Sequence, residues 1–260
     1  MSNYLKFLGT AGARFVMIQQ LRSSAGTIVH LDGQMIMLDP GPGTLARCAA
    51  SRPKINPAEL QAIMLSHRHV DHSTDVNVMM EAMSEGGFKK NGILFAPEDC
   101  LEGSDPVVLR YVRDYIEKIE ALQEKSAHEI NGLRFRTSGQ HRHGAQTYGF
   151  VFESSLGKIS FLVDTEFTPQ LMKWYKGARV LVMNVVRLKP ADDDRVIQHL
   201  CLPEAKEIIA EIKPEVAILT HFGSTMLRAK PWELAEQMSR ELGTKVVAAS
   251  DGMNFALDEL

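Results

Sequence analysis

Cysteine is scarce in this chain, at three of 260 residues. Cys48, Cys100 and Cys201 are odd in number, far apart and form no CxxC pair. That argues against a disulfide framework or a CxxC metal site, and it fits structural thiols in a reducing cytoplasm. Long apolar runs are missing too. None approaches the roughly 18 residues of a membrane span, and the start, MSNYLKFLGTAG, lacks the apolar core of a signal peptide. A cytoplasmic protein without a membrane segment is expected. Positive charge is not in surplus. A net charge of -3 counts against broad, sequence-independent duplex binding, but not against a local phosphate site. No internal repeat, low-complexity tract or linker is evident.

What is present is ordinary for a globular chain: 45% hydrophobic and 23% charged residues, and a length that suits one large core. The 13 methionines are spread along the chain and read as core filler. Residues 4–9 read as a strand ending at a glycine turn. Thr27 to Leu31 and Met35 to Leu38 read as a hairpin turned at Asp32-Gly33. LDPGPGT, Leu38 to Thr44, gives a Gly/Pro loop and then a helix; turn formation suffices to explain Gly41, Pro42 and Gly43, while Asp39 is a candidate for the floor of a site. Ala62 to Leu65 is a buried strand, Ser73 to Met83 is helical, and Ile93 to Ala96 is a strand.

Asp105 to Leu122 gives the longest amphipathic helix expectation, with Val108, Tyr111, Val112, Tyr115, Ile116 and Ile119 at helical spacing. Strands follow at 133–136, 148–153, 159–163, 180–184 and 216–220, and helices at 169–175, 203–212 and 231–242, before a final strand. Asp192-Asp193-Asp194 reads as a solvated loop and Lys89-Lys90 as an exposed turn.

Against this background one stretch stands out. LSHRHVDHSTD, Leu65 to Asp75, holds three of the nine histidines. On an extended chain His67 and His69 point to the same side and can chelate one cation. Asp71 and His72 follow where the chain turns into a helix and can face a second. Imidazole nitrogen and carboxylate oxygen suit zinc, and also iron or manganese.

HRHVDH resembles the defining motif of the metallo-β-lactamase superfamily. The likeness continues with His143 ahead of TYGF, Asp164 in FLVDTE, His221 in AILTHFG, and LDPGPGT, which is similar to a loop of ribonuclease Z-like members. It runs from FLGTAG to His221. The resemblance implies a single αββα sandwich domain over residues 1–260: two mixed β-sheets with helices outside and metals at one edge. It implies two divalent ions, zinc foremost, the first held by His67, His69 and His143, the second by Asp71, His72 and His221, with Asp164 bridging. His141 competes with His143. The family places its ligand five residues before the aromatic of an aromatic-Gly pair, here Tyr148-Gly149, which favours His143. Two-iron redox members replace the second motif histidine with glutamate and lack the histidine after the aspartate. His69 and His72 therefore favour hydrolysis.

Two divalent ions sharing a water lower its pKa and supply a bridging hydroxide, which Asp71 can orient. A phosphodiester, RNA or a small and even cyclic one, is the expected substrate. His199, ahead of the helix opened by Pro203, resembles a family histidine that contacts phosphate and protonates the leaving oxygen. Read alone, it is a helix-entry histidine. His30 and His128 have no motif context. The chain lacks the long Gly/Pro-rich arm with which ribonuclease Z grips transfer RNA, and FGSTMLR after His221 departs from that family's run. Residues 88–122 exceed a minimal connection, and a cap or insertion is expected there. The rival readings are a lactone or carboxyl-ester hydrolase on the same centre and a non-catalytic metal- or nucleic-acid-binding protein. Either is compatible with a homo-oligomer.

Overall fold

The computed structural model describes residues 2–12, 14–24, 26–190 and 198–260. Two seven-stranded sheets lie face to face. The first runs β14 (Asn254–Ala256), β1 (Tyr4–Phe7), β2 (Thr27–Leu31), β3 (Gln34–Leu38), β4 (Ala62–Met64), β5 (Ile93–Pro97), β6 (Lys118–Leu122). The second runs β13 (Lys245–Ala248), β12 (Val216–Thr220), β11 (Val180–Asn184), β10 (Gly157–Leu162), β9 (Phe150–Ser154), β8 (Leu133–Thr137), β7 (Ala127–Ile130). Each sheet is mixed. β14, β1, β2 and β3 pair antiparallel and β3 to β6 parallel; β7 to β10 pair antiparallel and β10 to β13 parallel. The αββα sandwich expected from the sequence is the fold observed.

Side-chain alternation along the strands builds three apolar layers. Leu5, Phe7, Val29 and Leu31 meet Phe135, Phe150, Phe152 and Phe161 between the sheets. Ile28, Met37 and Ile63 turn outward to pack with Met79, Met80 and Met83 of the helix Val76–Met83. Leu181, Met183 and Leu219 do the same with Ile208 and Ile209 of the helix Leu202–Ile212. Burial on both faces explains why β4 and β12 are continuous apolar runs. The three cysteines are buried and unpaired. No helix among the described residues is long and apolar enough to cross a membrane.

One helix expectation fails. Residues 105–122 form a six-residue 3-10 turn, Arg110–Tyr115, and then β6. Val108, Val112 and Ile116 are buried in one cluster with the methionines of Val76–Met83, Tyr115 and Ile119 pack partly against it, and Tyr111 is exposed. Pro106, the β-branched residues and a free edge on β5 make strand pairing the better outcome for the second half. Residues 88–122 thus supply β5 and β6 to the first sheet, while Asp105 and Val107 line a cleft near the cluster described below. Lys89 is exposed and pairs with Glu85 (2.7 Å). The Asp192-Asp193-Asp194 expectation lies outside the described residues.

Candidate metal centre

Parallel strands of both sheets end at the same edge of the sandwich. Asp39 follows β3, residues 65–67 follow β4, Asp164 lies two residues past β10, Asn184 ends β11 and His221 follows β12. His69 keeps an extended backbone (φ -60°, ψ 146°) and caps the short helix Val70–Ser73, so Asp71 and His72 sit in its first turn. The local geometry read from HRHVDH is therefore present. Asp39 and His221 both adopt left-handed backbone (φ 50° and 60°), a conformation costly for residues other than glycine and frequent at functional sites. Gly41 is needed for space: a Cβ there would lie 2.0 Å from the Asp71 carbonyl oxygen, a requirement beyond the turn chemistry legible in LDPGPGT.

Asp164 is the centre of the cluster. Its Oδ2 lies 3.1 Å from His72 Nε2, 3.3 Å from His221 Nε2, 3.4 Å from His143 Nε2 and 3.8 Å from His67 Nε2. His69 Nδ1 is 3.0 Å from His143 Nε2. Asp71 Oδ2 lies 3.6 Å from His221 Nε2 and 3.7 Å from His72 Nε2. The donor atoms fall into groups with metal-like spacing: His67, His69 and His143; Asp71, His72 and His221; and Asp164 with members of each. His199 stands at the rim, its Nδ1 3.6 Å from Asp164 Oδ1, close enough to join Asp164 and His143 in a further group. His30 and His128 lie elsewhere, bonded to the Ser2 carbonyl and to Glu120.

The donor set fits divalent ions. His67 Nε2, Asp71 Oδ2 and His221 Nε2 are buried without a hydrogen-bond partner among the described residues. Leaving such atoms unpaired is costly unless a ligand satisfies them. The opposite ring nitrogens are held. Ser66 Oγ donates to Asp39 Oδ2 (2.6 Å), so the His67 Nδ1–H, 2.9 Å away, donates to Ser66 Oγ. His72 Nδ1–H donates to Asp39 Oδ2 (3.0 Å), and His143 Nδ1–H donates to the Gln198 carbonyl (2.8 Å). Each bond fixes the tautomer that aims an Nε2 lone pair inward, as metal-binding histidines require.

Electrostatics agree. Burial pushes the His67 pKa well down, keeping the ring neutral and ready to ligate. Burial also opposes charge on His72, but Asp71, Asp164 and Asp39 outweigh it and pull its pKa well up, so a cation binding at its Nε2 displaces a proton held by the same carboxylates. Burial would raise Asp164, yet His221, His199 and His72 hold it well below the carboxylate range. The pocket is built around buried negative charge that demands positive partners.

His141 is placed differently from His143. Its Nδ1–H donates to the Asp164 carbonyl (3.1 Å) and its Nε2 accepts from the Tyr175 hydroxyl (2.8 Å), so neither nitrogen faces the donor cluster. Gly149 admits Tyr175: a Cβ there would lie 1.8 Å from the Tyr175 Oη. His143→Ala is expected to lose bound metal. His141→Ala is expected to keep it and to lose about 1–3 kcal/mol of stability through the orphaned carbonyl and hydroxyl. Elemental analysis and thermal melts on both variants check this, and the reverse pattern would exchange the two roles.

Sequence reasoning missed Ser66, Asn184, Gln198 and Tyr175. Asn184 Nδ2 donates to Asp164 Oδ1 (3.0 Å), and its place at the end of an apolar strand was the available signal.

Comparison with known proteins places this geometry in a family. The Beta-lactamase superfamily domain matches residues 34–222, and the chain belongs to that superfamily. An uncharacterised protein of Methanocaldococcus jannaschii is 31% identical over 256 residues, covering 96% of this chain and 94% of its own. Ribonuclease Z of Methanopyrus kandleri is 24% identical over 277 residues and covers 96% of each. The crystal structure of the metallo-beta-lactamase fold protein YhfI from Bacillus subtilis matches with a TM-score of 0.76 at 16% identity, covering 98% of this chain and 99% of that one. Family, relatives and cluster together support a metal-dependent hydrolase using divalent ions.

Proposed function

We propose that the protein is a dinuclear metal-dependent phosphodiesterase. His67, His69 and His143 would hold one ion, Asp71, His72 and His221 the other, with Asp164 between them and zinc the best match to the nitrogen and oxygen donors. When bound, such ions activate water and neutralise charge developing on the substrate. The protein's own groups do the rest. Asp39 and Ser66 fix the imidazoles, and Asn184 holds Asp164. Asp71 would orient the hydroxide besides ligating metal, and His199 would bind phosphate or protonate the leaving oxygen.

The observation that carries the choice of phosphate is the cleft beside the cluster, of ≈ 470 Å³, which Arg14 and Arg68 line together with His69, Asp71, Asp105 and His199. Arg68 is half-committed to Asp99 (3.6 Å), and Arg14 has no ion-pair partner among the described residues. Two guanidiniums beside a metal cluster suit an anionic diester better than a neutral lactone. The ribonuclease Z relatives point the same way.

The metal-loaded protein is expected to hydrolyse bis(p-nitrophenyl) phosphate and to lose that activity with chelator. A lactone and carboxyl-ester panel should be turned over more weakly. Ester turnover without diester turnover would move the protein to the ester reading; no turnover of either would favour a binding protein.

A further inference from the structure

A second cleft, of ≈ 550 Å³, lies outside the metal cluster and is lined by Lys125, Arg136, Lys158, Lys173, Trp174 and Lys176. We propose that this basic cleft binds a single-stranded nucleic acid whose scissile phosphodiester lies at the His/Asp cluster. The inference rests on the phosphodiesterase reading for the chemistry, but not for the binding.

Charge is the first argument. In a chain of net charge -3, five cations line one concavity. Lys125 lies 3.9 Å from Glu124 and Arg136 3.0 Å from Glu153. Lys158, Lys173 and Lys176 have no carboxylate partner among the described residues. One phosphate needs one or two cations, whereas a row of them suits a chain of phosphates. Trp174 adds an indole to the wall, and its Nε1–H has no protein acceptor among the described residues. An aromatic among cations is the usual equipment of single-strand sites, where unpaired bases are within reach. A membrane surface fits less well: the large exposed apolar side chains, such as Phe15, Ile18, Phe88 and Trp232, lie outside this cleft.

Continuity with the cluster is the second argument. Trp174 stacks on His141 (6.0 Å between centroids, 13° between planes), the residue bonded to the Asp164 carbonyl. Ser138 lines the basic cleft, and Gln140, Arg142 and His143, a few residues further along the same loop, line another of ≈ 520 Å³. The five residue-to-residue steps from Ser138 to His143 can span at most about 18 Å. A strand of a few nucleotides covers that distance, so one ligand can reach both places.

The test uses the intact protein and a fluorescein-labelled single-stranded RNA of roughly 12 nucleotides, within the range of single-strand sites. Fluorescence anisotropy is followed over a salt series for wild type and for Lys158→Ala/Lys173→Ala/Lys176→Ala. If three phosphate contacts are lost, the slope of log affinity against log salt should fall by about 2, and affinity at 0.1 M salt by on the order of 100-fold. Hydrolysis of bis(p-nitrophenyl) phosphate should be unchanged in the triple variant, which also reports that it is folded, and RNA cleavage should fall. Binding with the expected slope loss but no hydrolysis of RNA or of bis(p-nitrophenyl) phosphate by wild type would support the cleft and remove the phosphodiesterase reading, whereas hydrolysis of bis(p-nitrophenyl) phosphate without RNA cleavage would overturn the placement of the scissile bond at the cluster. Equal RNA binding by the two proteins overturns the proposal. So does a wild type that binds anionic phospholipid vesicles but not RNA.

Discussion

Asp164→Asn is expected to leave the fold intact, strip most of the divalent metal and slow phosphodiester hydrolysis by about 100- to 1,000-fold. The position holds a carboxylate central to the cluster, with His72, His143, His221 and His67 within 3.1 to 3.8 Å of one oxygen. Asparagine keeps the shape and can still accept from Asn184 Nδ2 at the other oxygen position. The backbone carbonyl that anchors His141 is untouched. What disappears is the negative charge that would offset repulsion between the two cations of the proposed centre. Metal ions contribute several kcal/mol to such reactions, and each 1.36 kcal/mol is tenfold in rate, so losing about 3–4 kcal/mol gives the stated range. Elemental analysis and melting with and without chelator read the metal independently of activity. Wild type should melt earlier when chelated, because metal stabilises the folded state by mass action. The variant should be indifferent to chelator. A variant that keeps its metal and its chelator-sensitive melt would show that Asp164 is not the bridge.

The contrast between Asp164 and the HRHVDH stretch shows what a sequence makes legible. His67, His69, Asp71 and His72 fall within one extended segment and one helical turn, so their convergence follows from backbone geometry alone. His143 comes from the loop between β8 and β9, and Asp164 and His221 from other strand ends, joined only when the sandwich closes. No periodicity brings them together, and only resemblance to a family reached them. Asp39 is a further step removed. Its carboxylate bonds Ser66 and His72, respectively 27 and 33 positions away, while in the sequence it looks like part of a Gly/Pro turn.

Fold legibility divides along similar lines. β4 and β12 declared themselves as apolar runs because both their faces are buried. The helix Pro231–Leu242 was legible to the residue because proline and glycine bracket it. β6 and β7 were not, since they lie at sheet edges with polar outer faces, and their pairing depends on a neighbouring edge rather than on their own pattern. For β7 a signal was present. Asn131-Gly132 joins it to β8 with both residues at positive φ, the signature of a tight hairpin, and the charged residues around it obscured the alternation.

His199→Ala is expected to lower kcat/KM for an alkyl phosphodiester by roughly 100- to 10,000-fold, the span of general acid catalysis, and to cost little with a p-nitrophenolate leaving group. The difference arises because p-nitrophenolate departs without a proton and an alkoxide does not. The structure sets up a second role for the same ring. Its Nδ1 lies 3.6 Å from Asp164 Oδ1, is buried without a hydrogen-bond partner among the described residues, and belongs to a donor group with Asp164 and His143. A proton donor and a metal ligand both need such a nitrogen, but they fail in different ways. Loss of a ligand lowers metal content and slows both substrates together. Loss of an acid leaves metal content at the wild-type level and separates the substrates. A histidine that only binds phosphate keeps its metal and slows both substrates alike. His199→Gln adds a further constraint, since an amide can hydrogen-bond phosphate but cannot deliver a proton at neutral pH. If His199 is the acid, the glutamine variant should resemble the alanine variant with the alkyl substrate. Measuring both leaving groups, metal content and melting temperature on the same preparations tells these cases apart, and an equal penalty for the two substrates removes His199 from the acid role.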